Sequence, residues 1–281
     1  MFFSLLITLI FAYGISNIKV IDTKKLNSLI IDKNSFLRFG LELPECYLHR
    51  ELLDVNFNYI EYADFSLSDT SDEPLCMMDG KIVPYNSFIN KNGMIYYEDE
   101  LVNFTKKLNI DRRIKLKYLK PVFDYFNSID ELYFYIGVKP VGAKMPNSYY
   151  NKYFYRLGCY NFTNYAERNI QIDSSVKTYY IKCISNTIYV NNTPVAGDLV
   201  NYMENLLNTF EKTIFILQYN DETSIGDYIY AHSLCKKAID IKRSDLSAYL
   251  FGDKDWQNLS LKNRQYIHKH FTHYFYAIHY P

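Results

Sequence analysis

Between Lys177 and Ile239 the hydrophobic period switches from two to three-and-four and back, and this constrains the fold more than any other feature of the chain. Lys177 to Cys183 and Thr187 to Val190 are β-rich runs separated by Ile184-Ser185-Asn186, which predicts a hairpin, and Asn191-Asn192-Thr193-Pro194 closes the second run as a turn. Asp198 is a candidate N-cap. After it Leu199, Tyr202, Met203, Leu206, Leu207 and Phe210 recur at the spacing of one helix face. Thr213 to Tyr219 is a near-continuous apolar run, the pattern of a buried strand. Beyond polar Asn220-Asp221-Glu222-Thr223, a second helical stripe carries Ile225, Ile229, His232, Cys235 and Ile239. The order β-β-α-β-α predicts an open sheet with helices packed on one face, within an α+β fold of short strands and helices in two parts. The first stripe is expected to bury against Tyr179-Tyr180-Ile181, Ile188-Tyr189-Val190 and Ile214-Phe215-Ile216-Leu217. A last helix is expected from Leu259 to His270, followed by an aromatic and histidine-rich tail.

Upstream, a polar stretch from Asp22 to Asn34 precedes strand-like runs with turn signals, Asp79-Gly80 before Lys81-Ile82-Val83 and Asn92-Gly93 before Met94-Ile95-Tyr96-Tyr97. Glu98 to Leu108 and Leu116 to Phe126 show helical spacing, and Leu132 to Val138 is a strong β run. Ser66 to Pro74 is polar and reads as an exposed loop. Lys139 to Tyr149, with two prolines and a glycine, is the best candidate for a linker or long loop. The expected organisation is a signal peptide at 1–14, an N-terminal α+β region at 15–165 and a C-terminal α/β region at 166–281.

Charge and cysteine usage narrow the function classes. With 31 Lys+Arg against 31 Asp+Glu there is no global positive field to hold a polyanion, so nucleic acid is not expected as a partner. The cysteines at 46, 76, 159, 183 and 235 contain no C-x-x-C pair, which excludes a zinc ribbon or thioredoxin-like motif, and their odd number leaves at least one thiol unpaired. Cys183 and Cys235 fall on apolar faces and are expected to be buried free thiols. Asn103, Asn161 and Asn258 stand in sequons, which matter only in a eukaryotic secretory pathway.

Phe2 to Tyr13 is apolar apart from Ser4 and Thr8 and ends in Ala12-Tyr13-Gly14, the small-residue pattern of a signal-peptidase site. Export with cleavage after Gly14 is therefore expected, placing the protein in the periplasm or outside the cell. The run is shorter than the roughly 20 residues that cross a bilayer, so it would anchor the chain only if Ile15, Ile18, Val20 and Ile21 extended it past Asn17 and Lys19. Its n-region carries no Lys or Arg, and a buried N-terminal strand is the alternative reading.

Catalytic signatures are missing. Gly137 to Lys144 superficially resembles a phosphate loop, but the lysine is one place late, no Ser/Thr follows it, Pro140 removes an amide donor and Met145-Pro146 blocks an immediate helix. There is no G-x-S-x-G, H-E-x-x-H or G-x-G-x-x-G. Ligand-type residues cluster only in the tail, as His268, His270, His273 and His279; in a continuous helix His270 and His273 would share a face, yet no Asp, Glu or Cys lies between Asn263 and Pro281 to complete a metal site locally. No catalytic, cofactor or metal residue is assigned from the sequence.

From Thr187 to Phe271 the chain resembles the periplasmic domain of the ExbD/TolR family of biopolymer-transport proteins. The likeness rests on Ile188-Tyr189-Val190-Asn191-Asn192-Thr193-Pro194-Val195, the helix from Leu199 to Phe210, Ile214 to Asp221, and Ser224-Ile225-Gly226-Asp227-Tyr228-Ile229. Tyr249 to Ser260 looks like the extension that follows this domain in Bacteroidetes-type members. The resemblance implies a small, non-enzymatic domain that dimerises and serves a proton-driven inner-membrane motor. The family's proton-relay aspartate lies in a transmembrane helix, and Phe2 to Tyr13 holds no acid to inherit that role. The expected function is thus a non-enzymatic cell-envelope interaction or assembly module whose partner is another protein or a second copy. The alternatives are a secreted hydrolase with a spatially assembled site, and metal binding through the tail histidines.

Overall fold

The computed structural model describes residues 42–51, 63–67, 74–78, 81–84, 96–97, 100–101, 107–119, 133–143, 153–158, 176–207 and 212–280. The fold is α+β with open sheets. The strands of the N-terminal region are β1 (Glu45–Cys46), β2 (Arg50–Glu51), β3 (Ala63–Leu67), β4 (Pro74–Met78), β5 (Lys81–Pro84), β6 (Tyr96–Tyr97), β7 (Glu100–Leu101), β8 (Lys107–Ile110), β9 (Tyr133–Gly137), β10 (Lys139–Pro140) and β11 (Tyr153–Gly158). Seven of them form a mixed sheet in the order β2-β11-β9-β8-β3-β4-β5, while β1 pairs with β10 and β6 with β7.

Three expectations for this region are corrected. The described residues of the helix expected at Glu98 to Leu108 are strand instead: Glu100 and Leu101 belong to β7, and Lys107 and Leu108 open β8, which lies between β3 and β9 and is parallel to both. A strand in that position is buried on both faces, and Leu108, Asn109 and Ile110 are all buried, so sheet pairing overrides the local three-and-four spacing. The described ends of the loop expected at Ser66 to Pro74 are strand: Ser66 and Leu67 end β3 and Pro74 begins β4, with Leu67 opposite Pro74. Lys139 does not begin a linker; its N–H donates to Pro44 O at 2.8 Å and its ammonium pairs with Glu45 at 2.9 Å, fixing β10 against β1. By contrast β4 and β5 pair antiparallel with Met78 opposite Lys81, as a hairpin requires, and β9 coincides with the run expected at Leu132 to Val138. Residues 116–119 are helical, as expected for the start of the segment at Leu116. The signal peptide expected at 1–14, the Asn92-Gly93 turn, Cys159 and the sequons at Asn103 and Asn161 lie outside the described residues.

The C-terminal region contains β12 (Lys177–Ile184), β13 (Thr187–Val190), β14 (Thr193–Pro194), α1 (Leu199–Leu206), β15 (Thr213–Tyr219), α2 (Ile225–Phe251), α3 (Leu261–His270) and β16 (His273–His279). Its sheet runs β14-β13-β12-β15-β16, antiparallel through the first three strands and parallel through the last three. Ser185 and Asn186 take positive φ at 50° and 61°, which turns β12 into β13 with the handedness that matches strand twist. Asn191 and Asn192 do the same at 48° and 66°, so the expected Asn191 to Pro194 turn is a two-residue turn followed by β14. The tail is not loose: its alternation His-Tyr-Phe-Tyr-Ala-Ile-His fits a pleated surface and adds β16 beside β15.

Asp198 caps α1, its side chain accepting the Asn201 N–H, and Met203 and Leu207 are buried beneath the sheet's inner face. Tyr202 departs from the expected stripe and is 39% exposed. Phe210 lies outside the described residues. Ser224 caps α2, and Gly252 at φ 72° ends it with a left-handed cap. From Ile225 to Ile239 nearly every α2 residue is buried, including those off the predicted stripe, which is the mark of a helix packed on more than one side.

The hydrophobic cluster explains that burial. Leu108, Ile110, Phe134, Ile136 and Leu157 of the N-terminal sheet join Ile181, Phe215 and Leu217 of the C-terminal sheet through α2, so one core crosses position 165/166. Backbone bonds cross with it: Ile225 N–H donates to Ile114 O at 2.8 Å and Gly226 N–H to Arg112 O at 2.9 Å. These are orphan donors of the first helical turn, satisfied by the other region. A Cβ on Gly226 would sit 2.8 Å from both Cβ and O of Arg112, so the approach requires glycine.

Candidate functional site

Three places gather polar or aromatic side chains in a way that bears on function: the seam along α2, a cleft at the carboxyl ends of β12 and β15, and the outer face of the C-terminal sheet.

The seam holds the groups that sequence chemistry would nominate first, and all are engaged structurally. His232 Nδ1 lies 2.6 Å from Tyr155 Oη, with Tyr228 and Phe275 against its ring. Burial holds its pKa well below the usual histidine range, and the nearby Lys236 charge lowers it further. Ser233, next in sequence, is not its nucleophile: the hydroxyl donates to Tyr230 O at 3.1 Å and accepts from Tyr47 N–H at 3.0 Å. Burial pushes the Cys46 thiol up to about 12 and raises Cys183 and Cys235 as well, so none is a poised thiolate. Cys46, Cys183 and Cys235 are free and buried, in line with the expectation for the latter two. Buried Asp111 accepts both Arg113 Nε and Nη2 at 2.9 Å, along with the N–H groups of Arg113 and Glu42. Its lone pairs are used in shaping the turn after β8.

The cleft, of about 460 Å³, is lined by Lys182, Ile184, Gln218, Asn192 and Tyr280, together with Asp227 and Glu222. Asp227 stands in the first turn of α2 and grips the β12–β13 turn, accepting N–H groups from Asn186 at 2.7 Å and Ser185 at 3.2 Å and the Cys183 thiol at 3.3 Å. It is a structural clamp. Glu222 accepts from Lys115 and Lys117 at 2.7 and 2.8 Å, and those two bonds hold its carboxyl down to about 2. Asp221 lies 3.0 Å from His279 Nε2. Lys182 makes no ion pair with any described residue, and Asp227 takes its bonds from neutral donors, whereas Glu222 is paired with two lysines.

The outer face follows from the register. Side chains that pair across strands share a face. Tyr179, Phe215 and Phe275 face the helices, and the alternate residues face away. Tyr180, Ile216 and Tyr276 form one outward row, and Thr178, Ile214 and Tyr274 the row before it. Ile214 and Ile216 are nearly inaccessible, while Tyr180, Tyr274 and Tyr276 are exposed at 42, 40 and 38%. Lys212 Nζ sits 5.6 Å from the Tyr274 ring centroid, a cation–π contact at the amino end of β15. No Asp or Glu occupies a strand position on this face. None of these residues was singled out as a site from the sequence, although the Tyr alternation in β12 and β16 is the signal that marks them.

The tail histidines are dispersed. Helix α3 ends at His270 and His273 begins β16, so the two do not share a helix face. His268 packs on Trp256, His270 on Tyr266, buried His273 on Phe271, and His279 on Tyr219. Among the described residues no group of three or more His, Cys, Asp or Glu side chains is placed to hold a metal. Nor, among them, is any helix long and apolar enough to cross a membrane. No family model, curated protein or solved structure matches the chain.

Proposed function

We propose that the protein is a non-enzymatic interaction or assembly module of the cell envelope, acting through the outer face of its C-terminal sheet. The observation that carries this reading is the contrast in use of side chains: His232, Ser233 and Asp111 are buried and bonded within the fold, whereas three tyrosines are exposed on one face of the sheet. Tyrosine offers large amphipathic contact area at low entropic cost and is enriched in protein interfaces. The proposed export rests on Phe2 to Tyr13 and the site after Gly14, and the intact mass of the native protein tests it. The proposed ExbD/TolR-like character of the C-terminal half rests on the order of its elements alone.

The test is a photo-crosslinking amino acid placed at position 276 of the full chain, in the cells that produce it, with position 249 as control. Tyr249 is 87% exposed but lies near the end of α2, away from the sheet face. A discrete adduct from 276 and none from 249 is expected. Absence of any adduct from 276 overturns the module reading.

A further inference from the structure

The module reading leaves the partner's chemistry open, and the outer face together with the cleft narrows it. The chain is neutral overall, yet this face carries Lys212 at the amino end of β15, Lys182 at the carboxyl end and no carboxylate at any of its strand positions. Of the acids lining the cleft, Glu222 is ion-paired with two lysines and Asp227 is turned to the backbone of the β12–β13 turn. Resting on that reading, we propose that the face binds an extended, acidic polypeptide segment of a protein partner, with carboxylates meeting Lys182 and Lys212 and apolar side chains lying on Tyr180, Tyr274 and Tyr276.

Geometry sets the spacing. Lys182 shares the row of Gln218, six positions along β15 from Lys212, which is roughly 20 Å of extended chain. A segment lying along β15 would therefore offer acidic residues about six apart, an even number that keeps both on one side of a strand. Two cations are too few to offset a row of phosphates, which disfavours a nucleic-acid strand. A second copy is disfavoured too, since face-to-face pairing would oppose ammonium groups without supplying a carboxylate.

A random 12-residue displayed-peptide library selected on the full-length protein tests this, with the Tyr180→Ser/Tyr276→Ser double variant as the counter-target and the oligonucleotide dT12 as a separate probe. Enrichment of peptides with two acidic positions about six apart is expected. Their affinity should fall at least tenfold on the double variant, and a Lys182→Glu/Lys212→Glu protein should instead select basic peptides. Enrichment without acidic preference, equal binding to the double variant, tighter binding of dT12, or self-association lost on charge reversal would each overturn the proposal. If the adduct at position 276 forms while the selection shows no acidic preference, the chemistry fails and the module reading stands; if no adduct forms, the module reading fails with it.

Discussion

The two faces of the C-terminal sheet are drawn from the same strands and are almost equally aromatic, yet they meet opposite fates. Tyr179, Phe215 and Phe275 are absorbed against the helices, whereas Tyr180, Tyr274 and Tyr276, one residue away, stay in water. Composition alone does not separate them; what lies opposite does. The inner face has α2, which is itself held from behind by the N-terminal region, and the outer face has no described element packed on it. Stability and recognition are thus assigned to opposite sides of one layer, and each assignment can be broken separately.

The largest effect is expected from cutting the inner contact outright. Residues 166–281 expressed alone would expose the side of α2 that meets Tyr47, Arg112 and Tyr155, and we expect an insoluble or unfolded product by circular dichroism and sedimentation. A folded, monodisperse fragment would show that the seam is dispensable. Met203→Ala empties a fully buried site under the same face and should cost about 2 to 5 kcal/mol in chemical denaturation. Gly226→Ala forces a Cβ onto Arg112 and should cost about 1 to 3 kcal/mol.

The seam also predicts a pH response. His232 is neutral when folded because its pKa is depressed, so the unfolded chain takes up a proton first on acidification. Its stabilising contribution is complete above the ordinary histidine value, about pH 6.5, and is lost below it at up to about 1.4 kcal/mol per pH unit. Urea midpoints at pH 7.5, 6.5 and 5.5 check the sign, and a His232→Gln variant with a flatter profile would assign it. The smallest effect belongs outside: Tyr180→Ser should cost no more than about 1 kcal/mol, the span of strand propensities, since the ring is partly exposed. A loss of several kcal/mol there would mean that the outer face, too, is structural.

Much of the C-terminal half was legible. The β12–β13 hairpin, the Asp198 cap, β15 and the α2 stripe all follow from period and turn chemistry, because each is decided within a dozen residues. What was not legible depends on distant partners. Leu101, Phe104, Thr105 and Leu108 fit a helix locally, but Leu108 is claimed by β3 and β9 from either side. The burial of Tyr228 and Tyr230 off the α2 stripe reflects a second packing partner that periodicity does not register. β16 was hidden because aromatic and histidine residues suggested ligand chemistry before they suggested alternation. The candidate site was missed for a related reason: an outward tyrosine is distinguished from an inward one by register alone.

The parallel pairing of β15 with β16 has a consequence in time. Thr213 finds His273 and Tyr219 finds His279 only after everything between them, α2 and α3 included, has been looped out and laid across the sheet. No hairpin can zip that edge, because parallel neighbours need a crossover, and the loop-closure entropy is lost before any ladder bond returns it. The antiparallel β12–β13 pair can close in microseconds, while completion of the β16 edge belongs to the slow, non-local class of folding events. Until it closes, β15 presents a bare strand edge, and refolding yield should fall with protein concentration during that interval.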